Sequence, residues 1–212
     1  ATSIKPDFVI KLCPCGMSPS IFKMPYYNLP VTSDPNSKFQ VRNRIKVFKA
    51  IFGPRAAVDT DYYERVIWDF ATLIGVGGVP TTKFTSLKPE EEYIWKRSDP
   101  RIKPPDEKTE SRYRKWFGIY KEKMLSNGDY LNLYDIGFDF PEGHTIRKNG
   151  KMYYAFYAPQ YSGKIELRGL ENKKYEVFDY ANNKKLGVVQ GPKAELKTSF
   201  INHLLLEVIP KE

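Results

Sequence analysis

Few residues in this chain are placed to do chemistry, and Asp34 stands first among them. It sits in "VTSDPNS", residues 31–37, a lone carboxylate among small polar neighbours with a proline directly after it. A carboxyl group in such a stiff turn can give and take a proton if burial raises its pKa towards the working pH. The same group is also a good helix cap, accepting a bond from a free backbone N–H. A basic amphipathic stretch begins immediately afterwards, so the residues alone favour the cap. Acid/base chemistry stands beside it as the second reading.

Cys13 and Cys15 lie in "LCPCG". A disulfide across one intervening residue is strained. Two thiols make a poor zinc site without further Cys or well-spaced His. The two histidines, His144 and His203, are far away in sequence. No metal site is expected, and both thiols read as free groups at a strand end. Asp59 and Asp61 follow another apolar run and could reach a substrate or simply be loop acids. Tyr26 and Tyr27 in "MPYYN" suit either loop packing or stacking on a sugar ring. Arg42 and Arg44 read as a solvated helix face.

These residues need a scaffold, and 212 residues allow one large or two modest domains. The apolar fraction of 41% and the aromatic fraction of 15% argue for a packed globular protein rather than disorder. The net charge of +9 is spread among acidic residues, as in "EKTESRYRKWFGIYKEKM", so no dedicated nucleic-acid surface is expected. No apolar run reaches the ~18 residues of a membrane span. The opening "ATSIKPDFVIKLCPCG" lacks the layout of a signal peptide and reads as the middle of a domain. Compartment stays open, with a periplasmic or secreted parent slightly favoured.

The first part alternates strands and helices. "FVIKLC" (8–13), "PVTSD" ending at Asp34, "RAAVDT" (55–60) and the apolar stretch of "TLIGVGGVPTTKF" read as strands. Residues 37–52 form an amphipathic helix with Val41, Ile45, Phe48 and Phe52 on one stripe. Helices are also expected over 62–71 and 109–125. Gly75, Gly77 and Gly78 are read as allowing tight turns. From Asp129 onwards short alternating runs, separated by "NG", "SG" and "NN", read as an antiparallel sandwich. The domain boundary is therefore placed near residue 128, with 1–128 α/β and 129–212 all-β.

The motifs "LCPCG", "VTSDPNS", "QVRNRIKVFKAIFGPRAAV" and "DFATLIGVGGV", in that order, resemble the second half of the catalytic barrel of α-galactosidase-like glycoside hydrolases, family 36 and its relatives. "YYAFYAPQYSGKIELRGLENKKYEVFDYANNKKLG" resembles the C-terminal sandwich of the same enzymes. The resemblance covers nearly the whole chain and rests on order and spacing rather than on any single motif. It implies the C-terminal half of a (βα)8 TIM barrel followed by an antiparallel β-sandwich.

The resemblance also implies a retaining mechanism on terminal α-linked galactose of an oligosaccharide or glycoconjugate, with no cofactor. Such a mechanism needs two carboxyl groups ~5–5.5 Å apart. "SD" at Ser33–Asp34 matches the family acid/base position, so Asp34 is the implied acid/base. Cys13, Cys15 and Gly16 match, more loosely, a loop that lines the sugar pocket, and Ser33 joins them there. Arg55 and Ala56 stand where relatives often carry His-Val-Ser, so the contacts of that His are not carried over. The family nucleophile lies in a Lys-Trp-Asp-like motif ahead of the Cys-Gly loop. Asp7 is not in such a motif, so the nucleophile is expected outside this chain. The partner is then the N-terminal half of a parent enzyme or a second copy of this chain. The rival reading is a non-catalytic carbohydrate-binding or assembly module centred on the sandwich.

Overall fold

The computed structural model describes residues 5, 7–12, 21–32, 37–61, 70–81 and 107–211. Its first part holds four short strands: β1 (Lys11–Leu12), β2 (Leu29–Pro30), β3 (Asp59–Asp61) and β4 (Val79–Thr81). They run parallel and neighbour one another in chain order. Lys11 pairs with Leu29, a parallel bridge joins Val31 to Asp59, and Asp59 pairs with Val79. Helix α1 (Lys38–Phe52) connects β2 to β3, and the short α2 (Phe70–Ile74) precedes β4. Strand and helix alternate as the hydrophobic pattern predicts, because parallel neighbours require a crossover, but Thr72 to Ile74, read as part of a strand, are helical, and β4 starts only at Val79. Among the described residues, no helix is long and apolar enough to cross a membrane.

Helix α3 (Glu107–Lys123) leads into the second part, a six-stranded antiparallel sheet. Its strands are β5 (Asp129–Leu131), β6 (Glu142–Lys148), β7 (Lys151–Leu167), β8 (Lys174–Asp179), β9 (Lys184–Gln190) and β10 (Ala194–Pro210), in the order β5-β6-β7-β10-β8-β9. The sequence pattern splits β7 into the runs "KMYYAFYA" and "KIELRGL", and β10 into "AELKTSF" and "HLLLEVI". They are instead single strands of 17 residues. Their register slips once, where Ile201 pairs with Gln160 and Asn202 with Ala158, leaving Pro159 as the extra residue of a bulge. Proline has no N–H for the ladder, and a bulge is where a strand tolerates it. The bulge reverses the alternation of β7, so Met152, Tyr154 and Phe156 before it share a core with Ile165 and Leu167 after it.

That shared core requires the hairpin to bend back on itself. Tyr154 Oη donates to the carbonyl of Arg168 at 2.7 Å, across 14 residues of chain. A straight strand of that length would separate the two by about 46 Å. Tyr134 Oη, donating to the Glu166 carbonyl at 2.6 Å and accepting from the Arg168 N–H at 3.1 Å, closes the same fold. The result fits a sandwich: a sheet doubled over a core whose buried members run from Tyr134 to Val208, with Leu131 and Leu133 packed against it.

The other face of the sheet covers the helices. Tyr153, Ala155 and Tyr157 of β7, Ile146 of β6 and Leu205 of β10 pack with Val41, Ile45 and Phe48 of α1, Phe70 to Ile74 of α2, and Tyr113 and Trp116 of α3. Two carboxylates, Glu207 buried and Glu142 partly so, anchor helices to this face. Glu142 on β6 holds Arg42 of α1, and Glu207 on β10 takes Lys123 of α3 at 2.7 Å, Lys151 at 2.8 Å and Tyr153 Oη at 3.0 Å. Gly77 sits in a left-handed turn at φ 70°, where glycine carries no Cβ penalty. Gly75 lies in the same turn and also serves close approach, since a Cβ there would overlap the Tyr157 hydroxyl and the Ala155 Cβ.

Candidate active site

The carboxyl ends of parallel strands are where α/β enzymes place their chemistry. Here β2 and its extension Val31 lead towards Asp34, and the Thr32 N–H bonds the Asp59 carbonyl at 2.8 Å. Ser33 and Asp34 lie outside the described residues, as do Cys13, Cys15 and Gly16. What the structure does fix is the start of α1. Ser37 is the N-cap, with φ −156° and ψ 161°, and its hydroxyl accepts from the Gln40 N–H at 3.1 Å. The capping role that rivals acid/base chemistry at Asp34 is thus filled by Ser37, three residues later.

Asp59 is buried and forms an ion pair with Lys11, whose side chain is half exposed. Thr60, next along β3, donates its hydroxyl to the Val79 carbonyl at 2.7 Å. A Cβ on Gly78 would meet both the Thr60 methyl and Ile45 of α1, so Thr60 faces the helix layer. Successive strand side chains alternate, which turns Asp59 and Lys11 to the opposite face. Of the two acids in this strand, Asp59 is thus held by Lys11 on the face away from the helices. Asp61 ends the same strand. Tyr27 packs on Phe52 at a centroid distance of 5.1 Å, which is the loop-packing alternative, whereas Tyr26 is exposed.

A second polar centre was missed by the sequence reading. Arg42, read there as solvated, is buried. Its Nε and Nη2 donate to Glu142 at 2.7 and 2.5 Å, its Nη1 to Thr72 Oγ1 at 3.3 Å, and its guanidinium lies 4.2 Å from the Tyr157 ring centre. Glu142 Oε1 also meets His144 Nε2 at 2.8 Å, and His144 Nδ1 meets Tyr130 Oη at 2.7 Å. Burial pushes the Glu142 carboxyl up, but the Arg42 guanidinium and the His144 ring outweigh it and hold it down at about 2. Burial lowers His144, with Glu142 only partly opposing, so the ring is neutral near pH 7. An ionised Glu142 only accepts, so His144 Nε2–H donates to it and Nδ1 accepts from Tyr130. The signal available in the sequence was spacing: Arg42, Ile45 and Lys49 fall at i, i+3 and i+7 on one face of α1, and all three are buried.

A groove of about 440 Å³ opens above this centre, between the first turns of α1 and the sheet. Arg42, Glu142 and Tyr157 line it together with Lys38, Phe39, the 137–140 loop and Asn202. Among the described residues, no group of three or more His, Cys, Asp or Glu is arranged to hold a metal ion.

Comparison with known proteins bears out the resemblance to α-galactosidase-like glycoside hydrolases. The chain is 31% identical over 213 residues to an A type blood α-D-galactosamine galactosaminidase of Flavonifractor plautii. The match covers 96% of the chain but 18% of that protein, so the chain spans under a fifth of the relative's length. No family model matches. Among solved structures it is similar to a family 27 β-L-arabinopyranosidase from Geobacillus stearothermophilus, at TM-score 0.62 and 12% identity over 95% of this chain and 50% of that one. An α-amylase from Anoxybacillus follows at TM-score 0.57 and 10% identity, covering all of this chain and 54% of that one. At these identities the two structures speak for the fold alone.

Proposed function

We propose that this chain is part of a retaining glycoside hydrolase acting on terminal α-linked galactose or a galactosamine-type sugar. Residues 1–128 supply the C-terminal half of a (βα)8 barrel and 129–212 the C-terminal sandwich. The observation that carries this reading is the 31% identity to a galactosaminidase across 96% of the chain. The parallel strands β1 to β4, in chain order with helices between, support the barrel half.

In this reading Asp34 is the general acid/base and protonates the departing glycosidic oxygen, then activates water. Cys13, Cys15, Gly16 and Ser33 line the sugar pocket. The nucleophile comes from outside the chain, contributed by the N-terminal half of the parent. The capping of α1 by Ser37 supports the role for Asp34, because it relieves that carboxylate of the competing duty.

The test is Asp34→Asn in the parent enzyme. Turnover of substrates with poor leaving groups should fall by two orders of magnitude or more. The glycosylation step on activated aryl glycosides, which need little protonation, should fall far less. Equal losses on both substrate types would remove Asp34 from the acid/base role. The isolated chain should show no enzymatic turnover of an aryl α-galactoside, since one carboxylate of a cooperating pair retains little of the rate enhancement.

A further inference from the structure

We infer that the groove between α1 and the sheet is an accessory saccharide-binding site for a neutral sugar unit, distinct from the site of bond cleavage. This rests on the glycosidase reading and adds a second sugar contact to it. The volume, about 440 Å³, suits a small sugar. Its charges balance, with Lys38 and Arg42 against Asp139 and Glu142, so its lining favours neither an anion nor a cation.

The polar groups are fixed in advance. Glu142 is gripped by Arg42 and His144, and Asp139 takes Arg168 Nη2 at 2.9 Å, Arg168 Nη1 at 3.1 Å and the Asp135 N–H. Each of these carboxylates thus accepts three hydrogen bonds of roughly four it can hold, which leaves one acceptor position apiece. Asn202 adds an exposed amide at the groove edge. Spare acceptors in a charge-balanced site call for a ligand rich in O–H donors.

The rim supplies the apolar complement. Phe138 is 88% exposed and Phe140 71%. Phe140 sits edge-on to Tyr161 at 5.8 Å, and Tyr161 lies 5.5 Å from Phe200, so the aromatic surface continues along the doubled hairpin. Exposed aromatic faces beside hydroxyl-binding groups match a pyranose, which presents C–H on its faces and O–H at its edges.

The experiment titrates the full 212-residue chain with methyl α-D-galactoside, followed by amide chemical shifts. Saturable binding is expected, weakened at least tenfold by Phe138→Ala/Phe140→Ala. Asn202→Gly, which keeps the left-handed turn at φ 66°, should weaken it about threefold, and Asp34→Asn should leave it unchanged. No saturation up to tens of millimolar, or binding indifferent to the groove variants, would overturn the site. Binding lost only in Asp34→Asn would place the sugar at the cleavage site, sinking the accessory site while leaving the glycosidase reading intact. Turnover by the parent enzyme judges that reading separately.

Discussion

Arg42 on α1 and Glu142 on β6 meet through two hydrogen bonds of 2.7 and 2.5 Å although 100 residues separate them in sequence. The pair fastens the strand–helix part to the all-β part inside a shared core. A buried pair of this kind is costly to break from one side, because the surviving charge is left without its partner.

Removing one member should therefore be worse than removing both. Glu142→Gln or Arg42→Met should each lower unfolding free energy by about 3–5 kcal/mol. The double variant Arg42→Met/Glu142→Gln should cost clearly less than the sum. Urea denaturation of the four proteins in the cycle measures this, and strict additivity would mean that the two residues act independently.

Acid should attack the same centre in two stages. His144 is lowered from its ordinary 6.5, and Glu142 from 4.5 to about 2. Both groups bind protons more readily in the unfolded chain, so both contribute stability that is full at neutral pH and lost as pH falls. Loss begins below pH 6.5 through His144. It continues from 4.5 towards 2 through Glu142, amounting to about 3 kcal/mol for that carboxyl. His144→Gln retains a donor for Glu142 but does not titrate, so its urea midpoint should change less between pH 7 and 5. A wild-type midpoint that is flat from pH 7 to 2 would contradict both shifts.

Lys49 gives the opposite end of the pH range. It is buried on α1, its ammonium donates to the Ala56 carbonyl at 2.9 Å, and burial lowers its pKa from 10.5 to about 8. The unfolded chain holds this proton more tightly, so stability should rise as pH climbs from 8 to 10.5. In Lys49→Met that rise should shrink. Melting temperatures across this window decide the matter, and an identical pH slope in the variant would show that Lys49 does not titrate as described.

Much of the architecture was legible because hydrophobic period reports burial. The stripe Val41, Ile45 and Phe48 gave α1, and the alternation in "KMYYAFYA" gave the start of β7. The joining of two short runs into one long strand was not legible. Pro159 breaks the alternation, and a break reads locally as a turn, whereas a ladder bond at Gln160 depends on the partner strand β10. Arg42 was misread for a related reason, and the burial of Lys49 on the same helix was equally hidden. Charge suggests solvent, and only the distant arrival of Glu142 or the Ala56 carbonyl makes their burial tolerable. The turn at Gly75 was legible, but the pressure of Tyr157 and Ala155 against it was not, because it comes from 80 or more positions away. Asp34 rests on motif order, and Ser37 alone among its neighbours has a geometry that bears on it.

Strands β6, β7 and β10 serve as a party wall, with one apolar core fixed to each side. Neither core can lose its contacts without stripping a face from strands that the other needs. Melting should therefore be all-or-none across the boundary near residue 128, giving one calorimetric peak whose van't Hoff and calorimetric enthalpies agree. The change of composition at that boundary marks where the architecture changes, while the unit of cooperativity runs straight through it.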